Sequence, residues 1–483
     1  MTARAVMVLG TTSNAGKSWL ATALCRWYAR QGLKVAPFKA QNMSNNARVV
    51  VGPDGEAGEI GSAQYFQALA ARVVPEVRMN PVLLKPERDT ASQVVVMGRV
   101  RADLAVVPWR ERSERLWPFA RDALQALMVE NDVVVLEGAG SPAEINLHAS
   151  DYVNMRSARE AQAACLLVTD IDRGGAFAHL FGTHQLLPEA ERALIRGFVL
   201  NFFRGDARLL APGPAQLQSL TGVPTVAVLP MWREHGLPEE DGVFDAAPSG
   251  GSAGGPVIAV IAYPRISNLD EFQPLRQVPN LRLRWARTPA DLDGADWVVL
   301  PGSKHTSGDL AWLRAQGLDA AIARHAAAGK RVLGVCGGLQ MLGTALRDPH
   351  GVDGSAAGLG LLPLITHFDR DKLLRRTRAA FADTTREWAA LAGVGFDGYE
   401  IRHGRTEPHA DVRAALRNEV GEPIGWQHGP VLGVYAHGLF ESADAMRALF
   451  GAGVRTLDSV FDGLADFIDR HVEPGVLTQL IQA

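Results

Sequence analysis

The stretch that decides the fold of the first half of the chain is AVMVLGTTSNAGKSWLATAL, residues 5–24. The apolar run at 6–9 predicts a buried strand, and residues 19–24 have the composition of the start of a helix. Between them, at 10–18, lies the glycine-containing sequence GTTSNAGKS. A turn of this kind lets backbone N–H groups and the positive end of the helix face a phosphate. The order of strand, turn and helix therefore predicts a phosphate loop.

Each polar residue of this loop has an expected role in binding a nucleotide. Lys17 is placed to reach the outer phosphates, and the Ser18 hydroxyl is placed to ligate Mg²⁺. The commonest phosphate-loop pattern has a glycine where this chain has Thr11, so the loop is a variant. A plain glycine-rich turn is the alternative interpretation. The expected nucleotide-binding residues of the loop are Gly10, Thr11, Asn14, Gly16, Lys17 and Ser18.

Polar residues follow three later apolar runs of the first half. Glu137 ends one run, and a carboxylate at the carboxyl end of a strand is well placed to hold Mg²⁺. Asn201 ends another, and its amide can read the amino group and ring nitrogens of adenine. Asp170 and Asp172 follow the third, where either a metal or substrate site or an ordinary turn is expected.

The second half contains VLGVCGGLQMLG at residues 332–343. An apolar strand here runs into Gly-x-Cys-x-Gly and then into a helix. The flanking glycines permit a sharp turn that exposes the Cys336 side chain, and the helix behind it favours the thiolate. This pattern predicts a nucleophilic cysteine rather than a buried inert one.

A histidine distant in sequence is expected to serve as the base for this cysteine. His437 lies at the end of a strand-like run in VYAHGLFE, residues 434–441, and His403 is a weaker candidate. The backbone N–H groups of Gly302, in the turn after another strand, and of Gly337 are expected to form an oxyanion hole.

The chain divides at AAPSGGSAGGP, residues 246–256, because Gly/Ser-rich sequence offers nothing to bury. On both sides short apolar runs alternate with helical segments, which indicates parallel strands in α/β sheets. We expect a first domain over 1–245 with helices on both faces of a parallel sheet, a linker, and a second α/β domain over 257–445. Residues 446–483 are predicted to form a helical segment.

Composition excludes several classes of protein. The 483 residues exceed what one hydrophobic core holds, and their 47% hydrophobic and 21% charged content is typical of a globular enzyme. A net charge of −3 gives no support to nucleic-acid binding. Three cysteines far apart do not form a disulfide framework, and no apolar run approaches the ~20 residues that span a bilayer. We expect a cytoplasmic, multidomain protein with no membrane partner, and the oligomeric state is left open.

The quoted motifs resemble two known families. The variant loop is similar to that of dethiobiotin synthetase and its relatives, which implies a P-loop NTPase-like first domain. The second half resembles the class I glutamine amidotransferases, which implies a flavodoxin-like fold, with Cys336 as nucleophile, His437 as base and Gln340 lining the glutamine pocket. That family usually has glutamate two residues after the histidine, where this chain has Leu439. The departure suggests a branch that works with a Cys–His pair, and Glu441 need not substitute.

Together the two halves resemble the cobyric acid synthase family of the cobalamin pathway. The resemblance extends over the whole chain and includes PFKAQNMSN at 37–45, NPVLLKP at 80–86 and residues 435–441. It implies ATP- and glutamine-dependent amidation of the b, d, e and g carboxylates of adenosylcobyrinic acid a,c-diamide, with ATP and Mg²⁺ required. Its partners are then small molecules: the corrinoid, glutamine and ATP. Two alternatives stay open: the sister enzyme that amidates the a and c carboxylates, and a regulatory P-loop ATPase with a degenerate amidotransferase domain.

Overall fold

The computed structural model shows two α/β domains in contact with each other. Residues 246–254 of the expected linker lie outside the part of the chain that it describes. The described residues are 3–52, 54–88, 91–238, 255–382, 384–451, 453 and 455–482.

The described residues up to 238, which form most of the first domain, contain twelve strands and eight α-helices. The strands are β1 (Arg4–Gly10), β2 (Val35–Phe38), β3 (Gln41–Met43), β4 (Ala47–Val51), β5 (Ala57–Gly61), β6 (Val82–Arg88), β7 (Ala91–Val96), β8 (Arg99–Val100), β9 (Val133–Glu137), β10 (Ala164–Asp170), β11 (Ile195–Phe203) and β12 (Thr225–Pro230). The helices are α1 (Lys17–Arg30), α2 (Ser62–Ala70), α3 (Ala102–Ala105), α4 (Trp109–Glu130), α5 (Met155–Glu160), α6 (Ala176–Leu186), α7 (Glu189–Arg192) and α8 (Gly213–Thr221).

A six-stranded parallel sheet forms the centre of this domain, in the order β12-β11-β10-β1-β9-β2. Alternate residues of β1 enter different hydrophobic clusters. Val6 and Val8 pack with α1 on one face, whereas Met7 and Leu9 pack with α4 on the other. The prediction of a parallel sheet with helices on both faces is therefore confirmed.

The chain between β2 and β9 forms two small sheets outside the central one. β3, β6, β7 and β8 make a four-stranded sheet, and β4 pairs antiparallel with β5. β4 and β5 pack against β21 and β22 of the second domain, where Ile401 joins a cluster with Ala47, Leu83 and Val95. This region is the principal contact between the domains.

The second domain contains thirteen strands, and the last six α-helices of the described chain follow or accompany them. The strands are β13 (Val257–Ile261), β14 (Ile266–Ser267), β15 (Arg282–Ala286), β16 (Trp297–Leu300), β17 (Gly302–Ser303), β18 (Arg331–Val335), β19 (Ala345–Arg347), β20 (Ala356–Ala357), β21 (Leu364–Phe381), β22 (Gly395–Pro408), β23 (Arg413–Asn418), β24 (Pro423–His428) and β25 (Val431–Val434). The helices are α9 (Thr306–Ala315), α10 (Leu318–Ala327), α11 (Gly337–Leu342), α12 (Ala443–Phe450), α13 (Leu457–His471) and α14 (Val476–Gln479).

Five parallel strands of this domain lie in the order β15-β13-β16-β18-β25. Numbered along the chain, that order is 2-1-3-4-5, which is the flavodoxin-like arrangement. Beyond β25 the sheet continues through antiparallel β24 and β23 to the long hairpin of β21 and β22. The flavodoxin-like prediction is confirmed, and the antiparallel extension is an addition to it.

The C-terminal helices divide between the two domains. α12 packs on the second domain, where Ala445 and Met446 are buried. α13 packs on α1 and α2, and its buried face, which includes Phe461 and Leu464, completes the cluster around β1. Arg26 of α1 is fully buried against α13, where it pairs with Asp458 and Asp462 at 2.7 Å each. The last long helix therefore belongs to the first domain. Within the described residues, no helix has the length and apolar character needed to cross a bilayer.

Replacing Phe461 by alanine tests this placement. Because the ring is 1% exposed, its removal leaves a cavity and is expected to cost about 3–5 kcal/mol. In differential scanning calorimetry the transition of the first domain should move to lower temperature while that of the second stays. Leu209→Ala, at a side chain that is 82% exposed, is the control. A selective loss from the second domain instead would contradict the placement of α13.

Candidate active sites

The phosphate loop lies between β1 and α1, at the carboxyl edge of the central sheet. The Lys17 ammonium donates to the backbone carbonyls of Thr12, at 2.9 Å, and Gly140, at 3.3 Å. Thr11 donates from its hydroxyl to that of Thr169 at 2.9 Å, which ties the loop to β10. The side chain of Lys17 is thus folded over its own loop, at which the outer phosphates of a nucleotide are expected to bind.

Gly16 and Asn201 meet at the start of α1. Gly16 has a φ of +97°, and a Cβ there would lie 2.1 Å from the Asn201 Nδ2 atom. The amide of Asn201 donates to the carbonyl of Ala15 at 2.9 Å, and its Oδ1 atom has no hydrogen-bond partner within the described chain. The structure therefore brings Asn201 to the loop through its Nδ2 atom and leaves its buried Oδ1 atom unpaired within the described chain.

Glu137 lies at the end of β9 and is almost fully buried. Its Oε1 atom accepts from the Ser18 hydroxyl and from the Lys39 ammonium, each at 2.8 Å. Its Oε2 atom accepts from Gln67 at 2.6 Å and from Gln64 at 3.4 Å. Although burial raises the pKa of this carboxyl, Lys39 and the neutral donors hold it below its ordinary value. Ser18 and Glu137, the two predicted metal ligands, are in direct contact.

Lys39 and Gln67 were not singled out in sequence, although both contact Glu137. Lys39 lies in the motif PFKAQNMSN, and its ammonium is the charge partner of a buried acid. Gln67 comes from the middle of α2, where a glutamine has no distinguishing pattern. Their burial is the signal that identifies them, and burial is not visible in composition.

Asp170 is the last residue of β10, and Asp172 lies in the turn that follows. Asp172 pairs with exposed Arg204, and Asp170 pairs with Arg173 at 3.0 Å. The backbone N–H of Asp172 also donates to the Asp170 carboxylate at 2.9 Å. These contacts are compatible with the turn interpretation, and a metal or substrate site at either aspartate stays a prediction.

Cys336 lies between β18 and α11 with φ +51° and ψ −105°, a backbone conformation that is costly for a residue with a side chain. The turn is possible because glycines follow it. A Cβ at Gly338 would lie 1.9 Å from the carbonyl oxygen of Leu300, so only glycine allows α11 to approach β16 this closely. The strained turn directs the thiol into a cavity at the domain boundary.

The other two cysteines differ from Cys336. Cys25 and Cys165 are completely buried in the first domain. Burial raises the pKa of the Cys165 thiol to about 12 and raises that of Cys25 as well. Both are therefore unreactive thiols of the core.

His437 and Cys336 line the same cavity, and the imidazole has a carboxylate on its other side. The Nδ1 atom of His437 lies 3.1 Å from Oε1 of Glu271, which is 1% exposed. Tyr399 stacks on the imidazole at 5.1 Å between ring centroids. Burial lowers the pKa of His437, but Glu271 and the Cys336 sulfur outweigh it and raise that pKa to about 10.

The expectation of a Cys–His pair without an acid is therefore corrected by the structure. The carboxylate is that of Glu271, which lies in the segment after β14 and not two residues after His437. Leu439, at that position, is buried in the core, and Glu441 pairs with Arg48. A carboxylate distant in sequence reaches the imidazole because the 3₁₀ helix Leu269–Gln277 packs against the 3₁₀ turn Leu439–Glu441 that follows His437.

The remaining predicted residues of this site are close to the thiol. A Cβ at Gly302 would lie 3.1 Å from the Cε1 atom of His437. Gln340 is buried in the cavity wall, where its side chain accepts from the Thr306 hydroxyl at 3.2 Å. His403 also lines the cavity, but its Nδ1 atom is 3.1 Å from the Asp369 carbonyl. Burial and the nearby ammonium groups lower the pKa of His403 to about 4, so it is neutral.

The cavity at the thiol is formed by both domains. Its volume is about 150 Å³, and the first domain contributes part of its wall through Asn45, Lys85, Glu87 and Gln93. Lys304 of the second domain pairs with Glu87 at 2.8 Å across this boundary. The site around Cys336 is thus completed only when the domains are in contact.

Models of two protein families match the chain, one in each domain. The family described as CobQ/CobB/MinD/ParA nucleotide binding domain matches residues 6–239. The family described as CobB/CobQ-like glutamine amidotransferase domain matches residues 257–445. The fold and the two sites therefore define the class of protein: a nucleotide-binding ligase that carries its own glutamine amidotransferase domain.

Three relatives narrow this class to one family. Proteins named cobyric acid synthase from Methylibium petroleiphilum, Leptothrix cholodnii and Variovorax paradoxus are 75%, 72% and 70% identical to the chain. The matches cover 99%, 99% and 100% of this chain and 97%, 97% and 100% of those proteins. The chain belongs to the cobyric acid synthase family, and it is a glutamine-dependent, amide-forming ligase of cobalamin biosynthesis.

Replacing Glu271 by glutamine tests the carboxylate on His437. Glutamine retains the shape of the side chain but removes the charge that raises the pKa of the imidazole. The alkaline limb of the pH profile for glutamine hydrolysis should move to lower pH, because the imidazolium deprotonates earlier. We expect kcat to fall by about 10²-fold or more, as when the acid of a related triad loses its charge. Glu407→Gln, at a side chain that is 72% exposed, is the control. An unchanged alkaline limb would exclude Glu271 from this role.

Proposed function

We propose that the chain uses ATP to activate carboxylates of a corrinoid and converts them to amides with ammonia released from glutamine. The acceptor is adenosylcobyrinic acid a,c-diamide, and the groups amidated are its b, d, e and g carboxylates. One observation carries the proposal: the cavity at the Cys336 thiol is walled by the nucleotide-binding domain. The site suited to releasing ammonia therefore borders the domain suited to activating a carboxylate. The name of the relatives supports the choice of acceptor.

Activation requires a phosphoryl group because a carboxylate is a poor electrophile. Transfer of the γ-phosphoryl group of ATP to a carboxylate oxygen forms an acyl phosphate and ADP. Ammonia then attacks the acyl carbon, inorganic phosphate leaves, and the amide loses a proton. Lys17 stabilises the charge of the transferred group, and the backbone N–H groups of residues 10–18 hold the phosphates.

Ammonia is released at Cys336. Because its pKa is raised to about 10, His437 holds the thiol proton as an imidazolium, and the thiolate attacks the side-chain amide carbon of glutamine. The backbone N–H groups of Gly302 and Gly337 stabilise the oxyanion. The imidazolium then protonates the departing ammonia, and water hydrolyses the glutamyl thioester. Gln340 lines the pocket that holds the glutamine side chain.

Asn201 supports binding of an adenine nucleotide. Its Oδ1 atom is buried and has no hydrogen-bond partner within the described chain. An unpaired buried acceptor is costly, and the exocyclic amino group of adenine is a donor that satisfies it. Gly10, Thr11, Asn14 and Gly16 form the loop that holds the phosphates beside it.

The donors at the end of β9 fit Mg²⁺. The Ser18 hydroxyl and a Glu137 carboxylate oxygen are 2.8 Å apart, and Mg²⁺ is commonly held by one or two protein oxygens together with phosphate oxygens. The amide of Gln67 donates to the Glu137 carboxylate at 2.6 Å, and its buried Oε1 atom has no hydrogen-bond partner in the described chain. Ser18 and Glu137 would hold the ion, which when bound neutralises charge on the phosphates. Lys39 supplies a further positive charge at 2.8 Å from Glu137.

Comparing glutamine with ammonia as the nitrogen donor tests the two sites separately. Cys336→Ala should lower glutamine-dependent amidation by at least about 10³-fold, as expected for loss of a nucleophile. Amidation from added ammonium chloride should stay close to that of the unaltered chain. Lys17→Ala should abolish both reactions, and Cys165→Ala, at a buried thiol in β10, should impair neither. Equal losses with both nitrogen donors in Cys336→Ala would refute a separate ammonia-releasing site.

The acceptor is tested directly by mass spectrometry. The purified chain, incubated with adenosylcobyrinic acid a,c-diamide, ATP, magnesium chloride and glutamine, should convert four carboxylates to amides. Omission of ATP should stop all four conversions, because each requires its own activation. Unsubstituted cobyrinic acid, as a parallel substrate, identifies the sister activity: amidation at the a and c positions would replace the proposed acceptor.

A further inference from the structure

One short segment of the second domain serves both halves of the ammonia-releasing site. This segment, ISNLDE at residues 266–271, is called here the acid segment. Its first two residues form β14, which pairs antiparallel with β17, so that Ser267 lies opposite Gly302. Its last residue is Glu271, the carboxylate on His437. The position of the acid segment therefore sets two things: the position of β17, which contains the expected oxyanion-hole residue Gly302, and the position of the carboxylate beside His437.

The acid segment is held by the first domain. The Asn46 side-chain oxygen accepts from the backbone N–H of Leu269 at 2.9 Å. In the opposite direction, the Asn268 side-chain oxygen accepts from the backbone N–H of Ala47 at 3.0 Å. Asn268 has a left-handed backbone conformation, with φ +54°. Two reciprocal hydrogen bonds thus fix the bend that turns the chain from β14 towards Glu271.

Arg48 makes the third contact of the first domain with the acid segment. Its Nε atom donates to the Asp270 carboxylate at 3.1 Å, and a second, shorter bond runs from Nη2 to the same oxygen. Its guanidinium also pairs with Glu441, with Nη2 2.6 Å from Oε1. Arg48 is 2% exposed and Asp270 is 1% exposed. A buried guanidinium is confined to the geometry that satisfies it, since leaving it unpaired is strongly unfavourable.

Arg48 reaches His437 by two short routes. Along the backbone, Asp270 is the residue before Glu271, so fixing one carboxylate fixes the start of the other side chain. Through the aromatic rings, the guanidinium lies 5.0 Å from the centroid of Tyr399, which stacks on His437 at 5.1 Å. The backbone of Tyr399 also exchanges hydrogen bonds with that of His437, at 2.9 and 3.3 Å. Arg48 therefore contacts one neighbour of the imidazole, Tyr399, directly and is one residue along the backbone from the other, Glu271.

We propose that Arg48 is a positioning residue for glutamine hydrolysis: docked on the acid segment, it holds Glu271 and Tyr399 against His437. The nucleotide-binding domain thereby sets the geometry of the catalytic base in the amidotransferase domain. The inference rests on the proposed release of ammonia at Cys336. Arg48 is then the contact through which the first domain makes the second competent for glutamine hydrolysis. Asn46 has the supporting role of fixing the bend in the acid segment.

A purely structural role for Arg48 predicts different behaviour. Replacing one partner of a buried ion pair leaves the other charge buried and unpaired, so a purely structural role predicts a loss of stability that accounts for any loss of rate. Positioning is more demanding, since a displacement of a catalytic group by about 1 Å costs roughly 10²-fold in rate. The two roles are therefore separated by comparing rate with stability in the same variant.

The test measures kcat and KM for glutamine hydrolysis in the full chain carrying Arg48→Met. We expect kcat to fall by roughly 10–100-fold, with a smaller change in KM because the residue does not contact glutamine. Ammonium-dependent amidation should be retained, which shows that the chain is folded. Arg48→Lys keeps the charge but not the forked geometry, so its kcat should be intermediate.

Arg26→Met is the matched control. Arg26 is also a fully buried arginine held by two carboxylates, but its partners are on α13 and it does not contact the acid segment. It should lower the melting temperature and leave kcat for glutamine hydrolysis unchanged. If Arg48→Met and Arg26→Met lower kcat equally, or only in proportion to their loss of stability, the positioning role is overturned.

The decisive experiment combines Arg48→Met with Glu271→Gln. If Arg48 acts chiefly through Glu271, adding Arg48→Met to the Glu271→Gln variant should lower kcat by no more than about twofold further, which is the scatter within which the effects of independent sites add. Multiplication of the two separate losses would refute the inference while leaving the proposed function intact. Failure of the unaltered chain to hydrolyse glutamine would instead refute the proposed function and this inference with it.

Discussion

Parallel strands present their carboxyl ends at a single edge of a sheet, and both domains place their reactive groups at that edge. In the first domain β1 and β9 end at the phosphate loop and at Glu137, and Asn201 lies in the last three residues of β11. In the second, β18 and β25 end just before Cys336 and close to His437. Because each site lies at the carboxyl edge of its sheet, the chain between β2 and β9 can lie against that edge of the second domain without disturbing the central sheet of the first domain. The arrangement of the whole molecule follows from this one constraint.

Much of this arrangement could be predicted because it depends on short, local patterns. The apolar runs that form the parallel strands are continuous, and the turns that follow them contain glycine beside the reactive residue. Cys336 and Lys17 were identified for that reason, since a strand, a turn and a helix in order leave few positions for the side chain between them. The same reasoning located His437 and Asn201, each at the end of such a run.

The side chains that were missed depend on contacts between distant segments. Glu271 lies in a 3₁₀ helix, Leu269–Gln277, with another acid beside it, a pattern also typical of exposed surface. Lys39 lies in a polar stretch and is buried against Glu137 within the first domain, whereas Arg48 lies in β4 and is buried where the two domains meet. The role of a buried carboxylate or guanidinium can be inferred only when its partner is known, and no local sequence pattern predicts a partner that is distant in sequence.

The return of α13 to the first domain has a consequence for the order of folding. One face of the central sheet, with Val6 and Val8 beneath α1, is completed by Phe461, Leu464 and their neighbours. These residues are synthesised after the entire amidotransferase domain, so the ribosome releases that domain's sequence before the nucleotide-binding domain can close its core. The first domain to be made is therefore the last to be finished, and the amidotransferase fold forms beside a partner whose surface still lacks its final helix.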